Sequence, residues 1–422
     1  MATVSPFKAL RFTKEAGPLA ELVCPPYDII SERERAGYLS QNPRNIIRLE
    51  LPKDGEDPYA AAGEALQAWL ADGTLACAEK PAFYLYEEEF TAHGQKKKLS
   101  GIVCRVGLEP FETGVVLPHE ETLSKAKADR YDLMKATNCN FSSIYSLYFD
   151  EKREIAFVLD KLYKTAPDEV FTTEDGIVHR IWDIEDENIT ARISALFADK
   201  KLYIADGHHR YETALKYMKD AGQTPGSGHP CASVMMTLVD IGHEGLVVFP
   251  THRIIRGLEN FSREDLLKNC AAYFKLEDIG ASDFRAKLDG AAERGEKAFA
   301  LYCGGQYTLL TLLNPAVMDT MLPGTSAAYR GLDVNILHTL ILEQLLSIDK
   351  ENMANQKNLI YTRDPSEAVS GVDSGEADCA FLINPTKVPE IAAVAGAGEK
   401  MPQKSTYFYP KLITGHIMNR LV

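Results

Sequence analysis

The strongest chemical signal in the sequence is the run ADGHHR at residues 205–210. The apolar segment 201–205 predicts a short buried strand, and the pattern of 208–220 predicts a helix with one apolar side. A strand that bends at Gly207 straight into a helix aims unsatisfied backbone N–H groups and the positive end of the helix dipole at one point. Such a turn is suited to bind an anion, above all a phosphate.

The side chains of this turn extend the same chemistry. Arg210 offers a planar fork to phosphate oxygens, and Asp206 is a candidate ligand for a divalent metal that bridges those oxygens. His208 and His209 are candidates to donate hydrogen bonds or to transfer protons near neutral pH. In a plainer interpretation, Asp206 caps the helix and the histidines lie at the surface. Because these basic side chains oppose the helix dipole in its first turn, the pattern favours a ligand site.

Three further segments carry candidate site residues. The segment 117–140 has the length and mixed charge of a loop that lines a site, although a solvated charged segment fits equally well. It contains no zinc-protease motif, because position 123 is Leu and not a second histidine. The others are 249–253, at a predicted strand end, and the aromatic and basic segment 401–411. The candidates for binding phosphate or for catalysis in these segments are His119, Glu120, Arg130, His252, Arg253, Lys404, Ser405 and Lys411.

The elements that must position these residues alternate in type. Helix 187–199, strand 201–205, helix 208–220 and strand 233–241 favour an α/β layer. We expect further strands at 45–51 and 143–149, a helix at about 58–71, a hairpin from 83–86 and 99–106, and a second hairpin turning at Gly304-Gly305. An apolar helix is predicted at about 334–346.

The fold class is therefore mixed, α/β or α+β. We predict three parts: an N-terminal α/β part (1–150), a central nucleotide-type domain that carries the 205–210 turn (151–260), and a C-terminal α/β part (261–422).

Composition excludes several classes of protein. The 422 residues carry 60 acidic and 46 Lys or Arg side chains, a net charge of −14 that opposes binding to DNA or anionic lipid. The eight cysteines have no C-x-x-C spacing and read as buried small hydrophobes. We see no signal peptide or membrane-spanning run and expect a cytoplasmic protein. Motifs for a P-loop, an α/β-hydrolase elbow, a protein kinase and a dinucleotide fold are missing.

Motifs along most of the chain resemble a bacterial and archaeal family, domain of unknown function one thousand and fifteen, often labelled SpoOJ/ParA/ParB/RepB-like. The resemblance rests on PPYD at 25–28, HE-x-T at 119–122 with Asp129-Arg130, ADGHHR at 205–210, PTHR at 250–253, LDV at 332–334 and KSTYFYPK at 404–411. Tyr27 and Asp28 of the first motif, with Asn138 and Asn140, are candidates to bind a substrate.

The ParB label implies a ParB/sulfiredoxin-like fold, which binds nucleotide phosphates through a Gly-x-x-Arg turn, here Gly207 to Arg210. A free-serine kinase group with that fold carries Asp-Gly-His-x-Arg, which 206–210 match. The resemblance thus implies ATP or ADP with Mg²⁺ held at Asp206, and a small hydroxyl compound as phosphoryl acceptor. Sulfiredoxin chemistry is disfavoured because histidines stand where it needs a cysteine. The kinase group also uses an acidic general base from its N-terminal part, for which Glu50 and Glu120 are the candidates.

The leading hypothesis is a nucleotide-dependent phosphotransferase for a small metabolite such as serine, with a phosphohydrolase in the same site as the near alternative. A ParB-like nucleotide-sensing or DNA-partition protein is a second class, which the negative charge disfavours. A third is a metal-dependent hydrolase that uses His119, Glu120, Asp206, His208 and His252.

Overall fold

The computed structural model describes residues 2–122 and 124–422, which form two compact units. Unit 1 contains Met1–Pro118, Thr122–Val247 and Pro410–Val422, and unit 2 contains His119–Glu121 and Val248–Tyr409. The strands are β1 Val4–Ser5, β2 Leu10–Phe12, β3 Leu75–Cys77, β4 Phe83–Ala92, β5 Gln95–Gly107, β6 Val116–Leu117, β7 Cys139–Asn140, β8 Ile144–Tyr148, β9 Glu169–Thr172, β10 Val178–Ile184, β11 Leu202–Asp206, β12 Ser233–Asp240, β13 Val247–Phe249, β14 His252–Ile255, β15 Phe274–Ile279, β16 Ala298–Cys303, β17 Gln306–Leu312, β18 Leu359–Thr362, β19 Cys379–Leu382, β20 Tyr407–Tyr409 and β21 Asn419–Arg420.

Helices alternate with these strands along the chain. They are α1 Leu19–Leu22, α2 Glu32–Gln41, α3 Ile47–Glu50, α4 Pro58–Ala71, α5 Ser124–Thr137, α6 Glu154–Leu162, α7 Glu187–Phe197, α8 His208–Asp220, α9 Arg263–Cys270, α10 Phe284–Glu293, α11 Val317–Met321, α12 Ala327–Arg330, α13 Asp333–Ile336, α14 Lys350–Asn355, α15 Pro365–Asp373 and α16 Val388–Gly396. A π-helix, Leu337–Glu343, continues α13 directly. The mixed α/β class predicted from the sequence is confirmed.

Unit 1 is built on a nine-stranded mixed sheet in the order β6-β11-β8-β12-β5-β4-β10-β9, with β1 beside β5. The pairs β6/β11 and β8/β12 are parallel, and the other pairs are antiparallel. Apolar side chains of α6, α7 and α8 pack with this sheet in one core. A second core joins α3, α4 and β7. This sheet fixes β11, and therefore the turn that follows it.

The predicted strand, turn and helix around residue 207 are confirmed. Leu202 and Ile204 of β11 are fully buried, and Tyr211, Ala214 and Met218 form the apolar side of α8. Strand β8 lies between β11 and β12 in the sheet, so the chain crosses over β8 as it passes from β11 through α8 to β12. The predictions of α4, α7, β8, β12 and the β4–β5 hairpin are also confirmed.

Unit 2 contains an antiparallel six-stranded sheet in the order β15-β17-β16-β19-β14-β18. Side chains of α10 and α15 pack on it, with Leu288, Ala291 and Ala368 fully buried. Gly304 and Gly305 both have positive φ angles and form the predicted turn between β16 and β17. The smaller two-stranded sheets are β2-β3, β7-β21 and β13-β20.

Two predicted elements were wrong in type. Residues 45–51 contain helix α3 and not a strand, because Asn45 accepts a hydrogen bond from the Ile47 N–H at 2.9 Å and so begins a helical turn. The apolar helix expected at 334–346 is α-helical only over Asp333–Ile336 and then widens into the π-helix. Apolar periodicity cannot distinguish an α-helix from a π-helix here, because residues 337–342 are all buried.

Unit 1 passes to unit 2 after Val247, and the three-part division, with its boundary near residue 260, remains a prediction. Seven of the eight cysteines are buried and Cys77 is exposed. Within the described part of the chain, no helix is both long and apolar enough to cross a bilayer.

A buried carboxyl in the unit 1 sheet predicts a pH dependence of stability. Glu88 of β4 lies opposite His179 of β10 and accepts a hydrogen bond from the Tyr86 hydroxyl at 2.9 Å. Burial raises the pKa of Glu88 to about 8, and burial lowers the pKa of His179 to about 4. In the folded state Glu88 therefore keeps a proton that the unfolded chain releases, and stability falls as the pH rises towards 8.

The two groups act over different ranges of pH. Below about pH 6.5 the neutral His179 opposes the effect of Glu88, whereas between about pH 6.5 and 8 Glu88 acts alone. We expect the free energy of unfolding to fall by about 2 kcal/mol over that interval, and Glu88→Gln to remove the fall. Urea titrations at several pH values measure it. Glu89→Gln, on the same strand, is the control; an unchanged slope in Glu88→Gln would contradict the assignment.

Candidate functional site

The turn between β11 and α8 has the geometry that an anion site requires. Gly207 has φ +98° and ψ 26°, a left-handed conformation that glycine adopts without strain, and it is the N-cap of the 13-residue helix α8. Glycine has no side chain with which to cap the helix. Asp206 therefore does not act as the helix cap, which was the plainer interpretation of the sequence. The first N–H groups of a helix have no partner within the helix and carry the positive end of its dipole.

Asp206 instead binds two cations. Its Oδ2 accepts a hydrogen bond from Arg210 Nη2 at 2.7 Å, one helical turn away, and its Oδ1 accepts from Lys411 Nζ. These side chains are only 10–18% exposed. Burial opposes ionisation of Asp206, but the charges of Lys411 and Arg210 outweigh it and hold the pKa of this carboxyl well below its usual range. The result is a fixed carboxylate between two cations beside the start of α8.

Arg210 is held in place by the backbone as well. Its Nη1 donates to the carbonyl oxygen of Ser143 at 2.7 Å, just before β8, while its buried Nε has no hydrogen-bond partner among the described residues. A Cβ atom added at Gly207 would lie 3.0 Å from both Nε and Nη2 of Arg210. The guanidinium group therefore lies directly against the turn, in the space that only glycine leaves open.

Gly207→Ala tests this close approach. The alanine would be strained by about 1–2 kcal/mol at a left-handed φ, and its Cβ would also displace the Arg210 guanidinium. Gly222→Ala is the matched control, because Gly222 has φ +70° but no atom within 4 Å of an added Cβ. We expect both variants to lose stability in urea unfolding, and Gly207→Ala to lose clearly more. Equal losses of stability in the two variants would show that the contact with Arg210 does not contribute to the free energy of unfolding.

A second polar cluster in unit 1 surrounds Arg130. This buried side chain donates from Nε to Asp129 at 2.7 Å and from Nη1 to the carbonyl oxygen of Glu50 at 2.8 Å. Its guanidinium carbon lies 3.8 Å from the centre of the Tyr27 ring, a cation–π contact. Burial raises the pKa of Tyr27 strongly, although the charges of Arg130 and Arg210 oppose that change. Residues that are far apart in the sequence thus meet around one guanidinium group.

Glu50 and Arg210 line one small cavity in unit 1. The cavity has a volume of about 30 Å³, and Arg130, Asn140 and Ser142 also line it. Glu50 is 3% exposed and accepts a hydrogen bond from the Ser142 hydroxyl at 2.9 Å. Burial raises the pKa of Glu50, while the charges of Arg130 and Arg210 lower it. A buried carboxyl with a raised pKa is a candidate proton acceptor.

The other unit 1 candidates differ in their surroundings. Asn138 has a left-handed φ of 49° just after α5, and its side chain accepts a hydrogen bond from the Tyr217 hydroxyl. The Oδ1 of Asn140 accepts from Asn419 Nδ2 at 2.9 Å, which joins β7 to β21. Asp28 is exposed. His208 is buried, and its charge contributes to the low pKa of Asp206, whereas His209 is half-buried.

The remaining candidates form a separate group in unit 2. His119 is fully buried, and its Nε2 lies 3.1 Å from the Thr406 hydroxyl. Glu120 Oε1 accepts a hydrogen bond from the Lys404 backbone N–H at 2.5 Å. Ser405 is buried, and its hydroxyl donates to the carbonyl oxygen of Pro402 at 2.6 Å.

His252 and Arg253 on β14 are buried in unit 2. The Nδ1 of His252 accepts from the Ile383 N–H at 3.2 Å, and burial lowers its pKa to about 4. Burial also lowers the pKa of Arg253 to about 10; its Nε donates to His338 Nε2 at 3.3 Å, and its Nη2 donates to the Lys404 carbonyl oxygen at 3.3 Å. Within unit 2, residues 119–121, 250–253 and 404–409 therefore come together.

The residues around Asp206 do not form a Mg²⁺ site in this arrangement. Each Asp206 oxygen accepts from a cation, and no group of three or more His, Cys, Asp or Glu side chains suited to a metal occurs in residues 2–122 and 124–422. The five candidates for a metal-dependent hydrolase are divided between the units, with His119, Glu120 and His252 in unit 2 and Asp206 and His208 in unit 1.

Comparison with known sequences identifies the family. Residues 4–335 match the family described as "Protein of unknown function (DUF1015)". The chain belongs to this family. The match includes the 205–210 turn, Glu50 and Arg130, and it ends before Lys411. Among curated proteins, no sequence matches the chain.

Several solved structures are similar to this DUF1015 chain at low identity. A conserved hypothetical protein from Pyrococcus furiosus is 14% identical, with a TM-score of 0.37, over 76% of this chain and 95% of that one. A free serine kinase in complex with AMP is 15% identical, with a TM-score of 0.36, over 76% and 92%. SbnI with C-terminal truncation from Staphylococcus aureus is 12% identical, with a TM-score of 0.37, over 75% and 86%. Similarity at this level carries no conclusion about the activity of the DUF1015 chain.

Sequence reasoning missed two features of the unit 1 site. The Ser143 carbonyl that holds Arg210 is a backbone group, which no side-chain pattern marks. The pairing of Lys411 with Asp206 joins positions that are 205 residues apart. Glu50 is a candidate through the family resemblance alone, and the structure adds that it is buried in α3 together with Ile47 and Leu49.

Proposed function

We propose that this protein is a nucleotide-dependent phosphotransferase that transfers a phosphoryl group to a small hydroxyl metabolite. The observation that carries the proposal is the Gly207 turn, where a 13-residue helix with a glycine N-cap begins beside two partly buried cations. Helix N–H groups, Arg210 and Lys411 together provide the positive charge that a phosphoryl group in transfer requires.

Each residue of the turn has a distinct role in this proposal. The N–H groups at the start of α8 donate to non-bridging phosphate oxygens, for which Gly207 leaves room. Arg210 and Lys411 offset the negative charge that develops on the transferred group. Asp206 is a positioning residue, since it fixes both cations through its two oxygens. Cations that are fixed before the substrate arrives stabilise a transition state without the cost of reorganisation.

Glu50 is our candidate for the general base. It lines the same small cavity as Arg210, and burial raises its pKa. In phosphoryl transfer it would accept the proton of the attacking hydroxyl group as the oxygen–phosphorus bond forms and the bond to the nucleotide breaks. Glu120, the other candidate, binds the Lys404 backbone N–H in unit 2, which favours Glu50.

A phosphohydrolase is the second candidate function, and the size of the cavity favours it. A volume of about 30 Å³ beside Glu50 and Arg210 is enough for one or two water molecules. A water molecule held there would lose a proton to Glu50 and attack the same phosphoryl group, which releases inorganic phosphate. The two functions share one phosphate site and differ in the group that attacks.

The finer parts of the proposal come from the family resemblance. They are a ParB/sulfiredoxin-like core, ATP or ADP as the nucleotide, and free serine as a candidate acceptor. The candidate roles of His208, His209, Tyr27, Asp28, Asn138 and Asn140 belong to it as well. We derive no step that passes through Mg²⁺, because both oxygens of Asp206 already accept hydrogen bonds from cations.

The experiment combines binding with product analysis. Thermal unfolding is measured with ATP, ADP and AMP, each with and without MgCl₂, because a ligand that binds the folded state raises the melting temperature. Radiolabelled γ-phosphate is then followed into phosphoserine or inorganic phosphate. We expect Glu50→Gln to keep nucleotide binding and to lose turnover by roughly 10²–10⁴-fold. Exposed Glu64→Gln is the control. No shift with any nucleotide would overturn the proposal, and phosphate release without acceptor would select the hydrolase.

A further inference from the structure

A large cavity in unit 1 lies at the far end of β8 from the Gly207 turn. It has a volume of about 490 Å³, within the range of roughly 300–1,000 Å³ that is usual for small-molecule sites. The parallel neighbours β8 and β12 both end at this cavity, where Tyr148 and Asp240 are paired. The carboxyl ends of parallel strands are a common place for ligands in α/β sheets. Arg210 contacts the Ser143 carbonyl oxygen just before β8, so the length of that strand separates the two sites.

The lining of this cavity is strongly acidic. Five carboxylates line it, those of Asp150, Glu151, Asp160, Asp240 and Glu244. The guanidinium group of Arg153 also lines it and lies 3.9 Å from one of them, while burial lowers the pKa of His243, which is therefore neutral near pH 7. The formal charge of the lining is thus −4. Glu151, Asp240 and Glu244 form no ion pair within the described part of the chain, so their charge is available to a ligand.

A buried hydroxyl group faces the same cavity. Tyr148 lines the cavity and is only 3% exposed, and its ring packs edge-on against Phe197 with 4.8 Å between the ring centres. Burial raises the pKa of Tyr148, and the nearby charges of Asp240 and Asp150, which also line the cavity, raise it further. Among residues 2–122 and 124–422 the Tyr148 hydroxyl has no hydrogen-bond partner. A buried polar group of this kind requires a water molecule or a ligand group as its partner.

Apolar surface lies beside these polar groups. Phe149 follows β8 and is 38% exposed, although its ring contacts Tyr203 edge-on at 5.6 Å between the ring centres. Leu159 of α6 and the ring of Tyr163 line the cavity as well. Aromatic rings attract organic cations, and apolar side chains are stabilised by contact with methylene groups. The cavity therefore suits a cation that also has apolar surface to bury.

We propose that this cavity binds a linear aliphatic polyamine. Its ammonium groups would pair with the carboxylates of Glu151, Asp240 and Glu244, and one of them would donate to the Tyr148 hydroxyl oxygen. The methylene segments between the ammonium groups would contact the ring of Phe149. A polyamine distributes its charge along a chain, as the carboxylates are distributed along the lining. This binding goes beyond the function proposed for the Gly207 turn.

A metal ion fits this lining less well than an organic cation does. Both oxygens of Asp150 already accept hydrogen bonds from the start of α6, from the Glu154 N–H at 3.1 Å and from the Ala156 N–H at 2.8 Å. No cluster of three or more His, Cys, Asp or Glu side chains suited to a metal occurs in the part of the chain that the structure describes. A metal ion would also leave the apolar surface and most of the volume unused.

Calorimetric titration of the full-length protein without nucleotide, at low ionic strength, tests the proposal. The probes are spermidine, n-butylamine, MgCl₂ and trilysine. We expect spermidine to bind at least about tenfold more tightly than butylamine, which has one charge, and than Mg²⁺, which has no methylene groups to bury. No binding of spermidine at millimolar concentration, or Mg²⁺ binding as tight as that of spermidine, would overturn it. Tighter binding of trilysine would assign the cavity to a basic protein segment and would also overturn it.

Variants that change the net charge equally locate the site. Glu151→Gln combined with Asp240→Asn is expected to weaken spermidine binding by about tenfold or more. Asparagine can still accept the hydrogen bond that Asp240 accepts from the Gly242 N–H at 3.0 Å, so the turn is kept. Glu64→Gln combined with Glu112→Gln, both exposed in unit 1 and outside the cavity, is the control and should leave binding unchanged. Equal weakening in both double variants would show attraction by net charge alone and refute the site.

Tyr148→Phe tests the buried hydroxyl group separately. The variant removes one acceptor and keeps the ring, so we expect spermidine binding to weaken severalfold while urea unfolding shows an intact fold. Unchanged affinity would contradict the placement of an ammonium group beside Tyr148. Because nucleotide is left out of every titration, these outcomes are independent of the phosphotransferase proposal.

Discussion

Asp206→Asn is expected to lower the free energy of unfolding by about 3 kcal/mol. The substitution removes the negative charge that Arg210 and Lys411 share, and it leaves both cations partly buried without a counter-charge. Breaking a buried pair costs more than the pair itself contributes, because the remaining charge keeps its desolvation penalty. Urea unfolding near pH 7, where the carboxylate is fully ionised, measures the loss.

Two comparisons make this result specific. Asp220→Asn removes an exposed carboxylate that pairs with Lys216 four residues away, as Arg210 pairs with Asp206, and should cost far less stability. Asp206→Asn combined with Lys411→Met removes one of the stranded cations and should recover part of the lost stability. If the single variant is as stable as the natural protein, the cations are solvated and the site is not preorganised.

The pH dependence of this contribution has a definite sign. The pKa of Asp206 is lower in the folded protein than in the unfolded chain, so the folded state favours the ionised form. The stability from this group is therefore fully present above its unfolded pKa of about 4 and is lost as the pH falls towards the folded value. The difference in stability between the natural protein and Asp206→Asn should shrink in acid.

Arg210→Lys is expected to lower kcat/KM of the proposed phosphoryl transfer by roughly 10²–10³-fold. Lysine keeps the positive charge, but it cannot donate to Asp206 and to the Ser143 carbonyl oxygen at once, as the planar guanidinium group does. We expect the cost in stability to stay near 1–2 kcal/mol, since a charge-assisted hydrogen bond is lost while the ion pair can remain. Steady-state kinetics and urea unfolding separate the two effects.

Arg153→Lys is the control for this substitution. Arg153 lies before α6 with its side chain 77% exposed, so the same chemical change should leave both kinetics and stability unaltered. If Arg210→Lys retains full activity, a positive charge at position 210 is sufficient for the transfer and the two-donor geometry of the guanidinium group is not required.

The sequence predicted a secondary-structure element correctly where the residues that determine it are neighbours in the chain. The apolar β11 segment, Gly207 and the amphipathic α8 follow one another, and each type of residue has one conformation that it adopts without strain. The prediction of a strand at 45–51 was wrong because a short apolar run fits a buried helix as well as a strand. The Asn45 side chain decides between the two through hydrogen bonds to the backbone of residues 21–23.

The sequence by itself determined the strand–glycine–helix turn, the mixed α/β class and the set of charged residues that are candidates for the chemistry. Only the tertiary structure decided which of them meet. It joined Lys411 to Asp206 and Glu50 to Arg130 in unit 1, and it gathered His252, Arg253 and Lys404 in unit 2. Backbone preference depends on neighbouring residues and can be read along the chain, whereas contacts between distant residues depend on how whole elements pack, which no local pattern encodes.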